Sequence, residues 1–206
     1  MADTHDLVRR GWLRLAAELG IELSEEDLRS RAFGRRTPDV LRDVFNLPAE
    51  EIERMMAAAI DDKTEEVAAG SPIVEVPGAV DFVRATVAAG IRTALVSSAS
   101  STNVRLALVA LDLAGAFERV IDAAGVTLGK PAPDPYLLAA EQLEIAPAQM
   151  VVFEDSVAGV ASARAAGARC VAITSWESAE RLEAADLVIG AWANWTPAGV
   201  AAALDL

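Results

Sequence analysis

The run Val151-Val152-Phe153-Glu154-Asp155-Ser156 is apolar for three residues, then presents two adjacent carboxylates and a hydroxyl, and is followed at once by Val157-Ala158-Gly159-Val160-Ala161. It reads as a buried strand with acids at its carboxyl end. Open α/β sheets place ligand chemistry there, and paired carboxylates suit a hard, oxygen-seeking cation such as Mg2+. The same residues also suit a plain helix N-cap, in which Asp or Ser satisfies free amide groups. A second β-prone run starts at Ile91 and ends in Ser97, Ser98, Ser100, Ser101 and Thr102, before a helical segment opens near Asn103. Hydroxyls and amides at a helix N-terminus form a phosphate cradle, although an ordinary serine-rich turn accounts for one or two of them. The third stretch is Gly129-Lys130-Pro131-Ala132-Pro133-Asp134-Pro135. Pro131 biases Lys130 away from helical geometry, and Asp134 with Pro135 suits an N-cap and first helical residue, so Lys130 is held on a stiff, extended loop. A lone lysine is usually a solvated charge; this one precedes a proline-set helix start.

Taken in this order, the three motifs resemble the haloacid dehalogenase superfamily, in the branch of β-phosphoglucomutase-like phosphatases and phosphomutases. The resemblance runs over nearly the whole chain. It implies that Ser97 and the Ser98 amide bind phosphate, that Lys130 is a catalytic residue balancing charge between phosphate and nucleophile, and that Asp155 anchors Mg2+ with Glu154 assisting. Arg35 and Arg36, in Gly34-Arg35-Arg36-Thr37, fall where the family's cap loop can supply a substrate-binding arginine. The implied activity is Mg2+-dependent phosphatase or phosphomutase chemistry on small phosphorylated metabolites, through an aspartyl-phosphate.

Family members begin with an apolar strand ending in Asp-x-Asp-Gly, whose first Asp attacks phosphorus. This chain opens Met1-Ala2-Asp3-Thr4-His5-Asp6-Leu7, which resembles the segment just after that motif, and Asp-x-Asp-Gly occurs nowhere in it. No nucleophile is therefore found. The expectation is a chain inactive as written, with a truncated start. The alternatives are a non-catalytic phosphate- or metal-binding relative, or a scaffold that self-associates as a homodimer. In the family's strand order the first strand lies between those ending at Ser97 and Asp155. Its loss leaves a gap of about 10 Å, two strand spacings, unless the neighbours close, a second copy donates a strand or an N-terminal segment fills it. A cap tied to the core by one linker instead of two is expected to be less restrained.

Length and composition set the outer bounds. The 206 residues are 53% hydrophobic and 24% charged, which fits a globular chain able to bury a core. A formal charge of −13 argues against nucleic acid and against an anionic membrane surface. The N-terminus lacks a signal pattern and no apolar run approaches a bilayer span, so a cytoplasmic location is the expectation. Cys170 and His5 are the sole residues of their types, too few for a zinc site of nitrogen and sulfur ligands.

Periodicity supplies the elements that must position the motifs. The first seventy residues read as helices without a strand: one marked by Leu7, Trp12, Leu15 and Leu19, a second opened by Ser24 with Asp27, then 38–45 and 48–69. Residues 71–78, with two prolines and a glycine, read as a linker. Strands then alternate with helices: strands near 91–97, 118–122, 150–154, 169–174 and 186–190, and helices near 79–89, 102–111, 134–143, 157–166 and 177–184. Alternation of this kind predicts an α/β fold with a doubly wound parallel sheet. The predicted organisation is a helical cap at 1–72 and a Rossmann-like α/β core at 73–206. Gly159, in an alanine-rich segment, would let its helix approach the sheet closely.

Overall fold

The computed structural model describes residues 2–57 and 73–206. The N-terminal part is almost entirely helical. Helix α1 (His5–Glu18) buries Trp12 and Ala16. Ser24 caps the short α2 (Glu25–Asp27) in a capping box, its hydroxyl accepting from the Asp27 amide while the Asp27 carboxylate accepts from the Ser24 amide. A π-helical turn (Leu28–Ala32), α3 (Thr37–Asp43) and a helical stretch over 49–57 (α4) follow. The rest of the helix expected to run to 69 lies outside the described residues. One cluster holds these elements together: Trp12, Leu28, Phe33, Val40, Leu41 and Phe45 are buried in it. Leu28 and Val40 are fully enclosed, each worth about 1.5–3 kcal/mol relative to exposure.

One element here departs from expectation. Strand β1 (Ala2–Asp3) pairs antiparallel with β2 (Val74–Glu75), Ala2 opposite Glu75 and Asp3 opposite Val74. The start of the chain is thus hydrogen-bonded to the segment that leads into the α/β part, so two strands tie the helices to it. Two-residue strands leave no periodic trace, which is why the sequence shows neither.

The α/β part consists of α5 (Ala79–Ala88), β3 (Ala94–Val96), α6 (Ser101–Ala110), β4 (Arg119–Ile121), α7 (Asp134–Gln142), β5 (Val151–Glu154), α8 (Val157–Ala165), β6 (Arg169–Ile173), β7 (Leu187–Ile189) and α9 (Pro197–Ala203). All five strands sit within the predicted segments and pair in parallel. They form two pieces, β3–β4 and β5–β6–β7. Among the described residues β3 and β5 are not hydrogen-bonded to each other.

Both faces of the three-stranded piece are covered. Cys170 and Ala172 pack with Ile121, Tyr136, Val152 and Val160 on one side, while Val171 and Ile173 pack with Ala79, Phe82 and Trp192 on the other. This is the strand period of two inside a sheet enclosed by helices, and it explains the unbroken apolar run at 170–173. β3 is half-buried along its whole length, as a strand lacking one neighbour should be. The predicted helix at 177–184 is only a 3-10 turn, Glu180–Leu182, because Glu177 turns inward to meet two arginines and so interrupts the helical repeat. No helix among the described residues is long and apolar enough to cross a membrane.

Candidate functional site

The carboxyl ends of β3 and β5, the loop before α7 and the helical part meet at one place. Lys130 arrives on the loop that opens α7, after a cis Lys130–Pro131 peptide. Pro133 is the N-cap, one residue earlier than expected, with Asp134 and Pro135 in the first turn. The Lys130 ammonium is buried; it donates to the Val96 carbonyl at the end of β3 at 3.3 Å and to Glu154 Oε1 at the end of β5. A lysine head and a glutamate side chain, rather than a backbone hydrogen bond, therefore span the two strands.

Glu154 is fully engaged. Oε1 also accepts from the Tyr136 hydroxyl. Oε2 accepts from the Ser156 hydroxyl and the Asp155 amide, both at 3.3 Å. Burial, and after it the Glu154 charge, pushes the Tyr136 phenol well above its ordinary value, so it stays a donor. Ser156 caps α8, its hydroxyl accepting from the Gly159 amide at 3.0 Å. The first turn of α8 runs so close that a Cβ on Gly159 would collide with the Glu154 carboxylate; the close approach read from the sequence is present.

Asp155 faces the opposite way, toward the helical part. Its Oδ2 lies 3.3 Å from His5 Nε2. His5 stacks on Trp176 with ring centroids 4.8 Å apart and meets Phe33 edge-on at 5.4 Å. Burial acts to raise the Asp155 carboxyl, but the hydrogen bond and charge of His5 outweigh it and hold the group below the usual value.

On the β3 side, the Ser97 hydroxyl accepts from the Ala99 amide at 3.1 Å, and the Ser98 hydroxyl donates to the Gly34 carbonyl at 2.7 Å. Ser100 caps α6, its hydroxyl accepting from the Asn103 amide. The turn from Ser97 to Ser100 thus leads from the end of β3, where Lys130 is bound, into a helix N-terminus, a favourable place for an anion. With the Ser98 hydroxyl held by the helical part, the group left for the role implied by the resemblance is its amide.

The two arginines have other partners. Arg35 pairs with Asp43 and donates to the Arg31 carbonyl at 3.1 Å. Arg36 donates to Asp39 at 2.7 and 3.1 Å and to the carbonyls of Val126 at 2.7 Å, Thr127 at 2.9 Å and Ala123 at 3.4 Å. The structure gives Arg36 the work of a clamp, with Nε and both terminal nitrogens engaged within the protein. His5 and Tyr136 escaped the sequence reading: each is the only residue of its type, and nothing in spacing announces that residue 5 faces residue 155 or that residue 136 faces residue 154.

Mg2+ takes oxygen ligands in octahedral geometry, commonly one or two carboxylates completed by water and substrate phosphate. Asp155 offers one such carboxylate, and the Glu154 oxygens are occupied by Lys130, Tyr136 and Ser156. No group of three His, Cys, Asp or Glu side chains that could hold a metal occurs among the described residues. The donors in place do not by themselves complete a magnesium site.

Comparison with known proteins bears on the fold and the family. The structure of β-phosphoglucomutase from Clostridium difficile superposes with a TM-score of 0.85 over all of this chain and 92% of that one, at 21% identity, which speaks for the fold. The structure of CbbY from Rhodobacter sphaeroides in complex with phosphate gives 0.77 at 27% identity, covering 100% of this chain and 95% of that one. In sequence, hexitol phosphatase A of Escherichia coli strain K12 is 33% identical over 193 residues, 92% of this chain and 85% of its own. Residues 1–167 match the family of haloacid dehalogenase-like hydrolases, and with the parallel sheet and strand-end site described above, the chain belongs to that family.

Proposed function

We propose that this chain is a phosphatase- or phosphomutase-type member of its family that recognises the phosphoryl group of small phosphorylated metabolites, and that this polypeptide alone binds the group without turning it over. One observation carries the reading: the Lys130 ammonium sits between the carboxyl ends of β3 and β5, and the chain runs from the end of β3 through Ser97 and Ser98 into the Ser100 cap of α6. In this reading the amides after Ser97, starting with Ser98, donate to phosphate oxygens, and Lys130 balances the added negative charge. In this reading residues 1–72 act as a cap on the site and residues 73–206 as the core. Relatives support the substrate class: hexitol phosphatase A is a phosphatase, and CbbY was crystallised with phosphate.

Turnover needs a nucleophile in line with the scissile bond. Asp155 is turned to His5 and Glu154 is neutralised by Lys130, so neither carboxylate serves. Asp155 is the residue at which Mg2+ would bind, weakly, because it brings a single carboxylate.

The test combines an assay with a stability measurement. Hydrolysis of a generic aryl phosphate in the presence of Mg2+ is expected to stay at the buffer rate. Inorganic phosphate is expected to raise the Tm, by mass action on the folded state, and Mg2+ alone to raise it little. Lys130→Met should abolish the phosphate-dependent increment measured from its own baseline. Hydrolysis that disappears in Asp155→Asn would overturn the binding-only reading, and a Tm indifferent to phosphate would overturn the site.

A further inference from the structure

We infer that Arg36, steadied by Asp39, is the positioning residue for Lys130: one guanidinium of the helical part sets the loop from which the lysine enters the anion site. The inference deepens the phosphate reading and rests on it for what the lysine does; that Arg36 places the lysine is a matter of geometry. Lys130 is carried on a stretch, 122–133, that has neither helix nor strand between β4 and α7. A lysine stem is flexible, so where its head arrives depends on where the backbone fixes its root. Beyond the lysine the loop is pinned from α8. The fully buried Ser162 hydroxyl donates to the Ala132 carbonyl at 2.6 Å, and the Ala132 amide donates to the Gly129 carbonyl at 3.0 Å. Ahead of the lysine the pins come from Arg36, whose guanidinium donates to the Val126 and Thr127 carbonyls at 2.7 and 2.9 Å and to Ala123 at 3.4 Å.

The arginine is itself held in one plane. The side chains of Arg36 and Asp39 are 12% and 8% exposed, and the carboxylate takes the guanidinium side-on, accepting from Nε at 2.7 Å and from a terminal nitrogen at 3.1 Å. A fork fixed in this way can meet the carbonyls of successive residues, which a freely turning ammonium could not do as a unit. The pair packs against Gly129, the residue before the lysine: a Cβ there would lie 2.5 Å from Arg36 Nε and 2.8 Å from Asp39 Oδ2. Gly129 is not at a positive φ, so what glycine supplies here is room for the arginine rather than backbone freedom. At the other end of the stem, the Lys130 ammonium meets the Val96 carbonyl and Glu154 and lies 5.1 Å from the centre of the Tyr136 ring, whose hydroxyl donates to the same Glu154 oxygen. Tyr136 is the only tyrosine, so its ring reports where the lysine head sits, with or without phosphate.

The test reads the Tyr136 ring resonances of the tyrosine-labelled full chain by NMR, and the binding of inorganic phosphate by calorimetry, in the native chain, Arg36→Ala, Gly129→Ala, the double variant and Arg181→Ala. Alanine at 129 pushes the arginine aside while leaving its charge and Asp39 in place; Arg181→Ala breaks a different contact across the seam, to Glu26. The Tyr136 resonances are expected to move in the same direction in Arg36→Ala and Gly129→Ala, and little further in the double variant, because both changes remove one contact. In Arg181→Ala they should stay native. Phosphate should bind about tenfold more weakly in the first three variants, as losing a partner that orients a ligand-binding group does, and with native affinity in the last. An unmoved Tyr136 signal in either folded single variant, additive shifts in the double one, or an equal shift in Arg181→Ala would overturn the inference. Should Arg36→Ala not fold, Gly129→Ala against Arg181→Ala decides alone. A native chain that ignores phosphate would remove the phosphate reading, and the tyrosine signal would still decide whether Arg36 places Lys130.

Discussion

Gly159 and Lys130 show how little freedom the site leaves to single residues. A methyl group on Gly159 has nowhere to go but into the Glu154 carboxylate, so Gly159→Ala is expected to destabilise by about 1–3 kcal/mol in denaturant unfolding, the usual range for overpacking. Lys130→Met removes the ammonium from a buried pair and strands the Glu154 charge; the expected loss is about 3–5 kcal/mol. Adding Glu154→Gln to it should recover much of that loss, because the stranded charge is then gone. Tyr136, the sole tyrosine, gives a spectroscopic check. Its phenol is raised by burial and by Glu154, so absorbance titration through pH 10 should show no phenolate until the protein unfolds. The Cys170 thiol is likewise pushed up, to about 12, chiefly by burial, which makes it an inert core residue rather than a reactive one.

Elements are joined by groups that periodicity does not reveal. Asp186, just ahead of β7, accepts from the Cys170 amide at 2.7 Å and from Arg164 on α8 at 2.7 and 2.8 Å. It thereby ties β6, β7 and α8 together. Burial would raise its carboxyl, but the Cys170 amide and the Arg164 guanidinium outweigh burial and hold it low. A carboxyl depressed in the folded state stabilises fully above its unfolded value, near 3.9, and loses that contribution as pH falls through the folded value. Stability measured from pH 5 downward should therefore fall less steeply in Asp186→Asn than in the native chain. At neutral pH that variant should lose about 1–2 kcal/mol, kept modest by the half-exposed position of Arg164.

Across the whole molecule, the seam between the helical and α/β parts is held by charge and close contact. Arg36 reaches from the start of α3 to three carbonyls in the 123–127 loop. Buried Glu177 takes Arg29 at 3.3 Å and Arg181 at 2.8 Å, Arg181 reaches Glu26 at 2.9 Å, and Arg29 lies over the Trp176 ring at 5.0 Å. Gly34, at a positive φ of 76°, brings its backbone against Ser156, where a Cβ would collide with the hydroxyl. Arg36→Ala should loosen this seam first. The expected result is a loss of about 1–3 kcal/mol from uncompensated carbonyls and Asp39, with faster amide exchange in residues 123–127 than in β6.

The sequence by itself determined the order of the five core strands and the three motifs, because strand and helix periods and proline or serine caps act over a few residues and are written locally. Five parallel strands, the caps at Ser24 and Ser156 and the close approach at Gly159 were all legible in this way. The partners of those motifs were not. That Glu154 takes Lys130 and Tyr136, that Asp155 takes His5, that Arg36 clamps the seam and that Ala2–Asp3 pairs with Val74–Glu75 depend on residues up to 150 positions apart. Such pairings follow from which buried polar groups find each other once the apolar clusters close, and a buried donor or acceptor must be satisfied by whatever the packing brings near. The tertiary structure alone decided them.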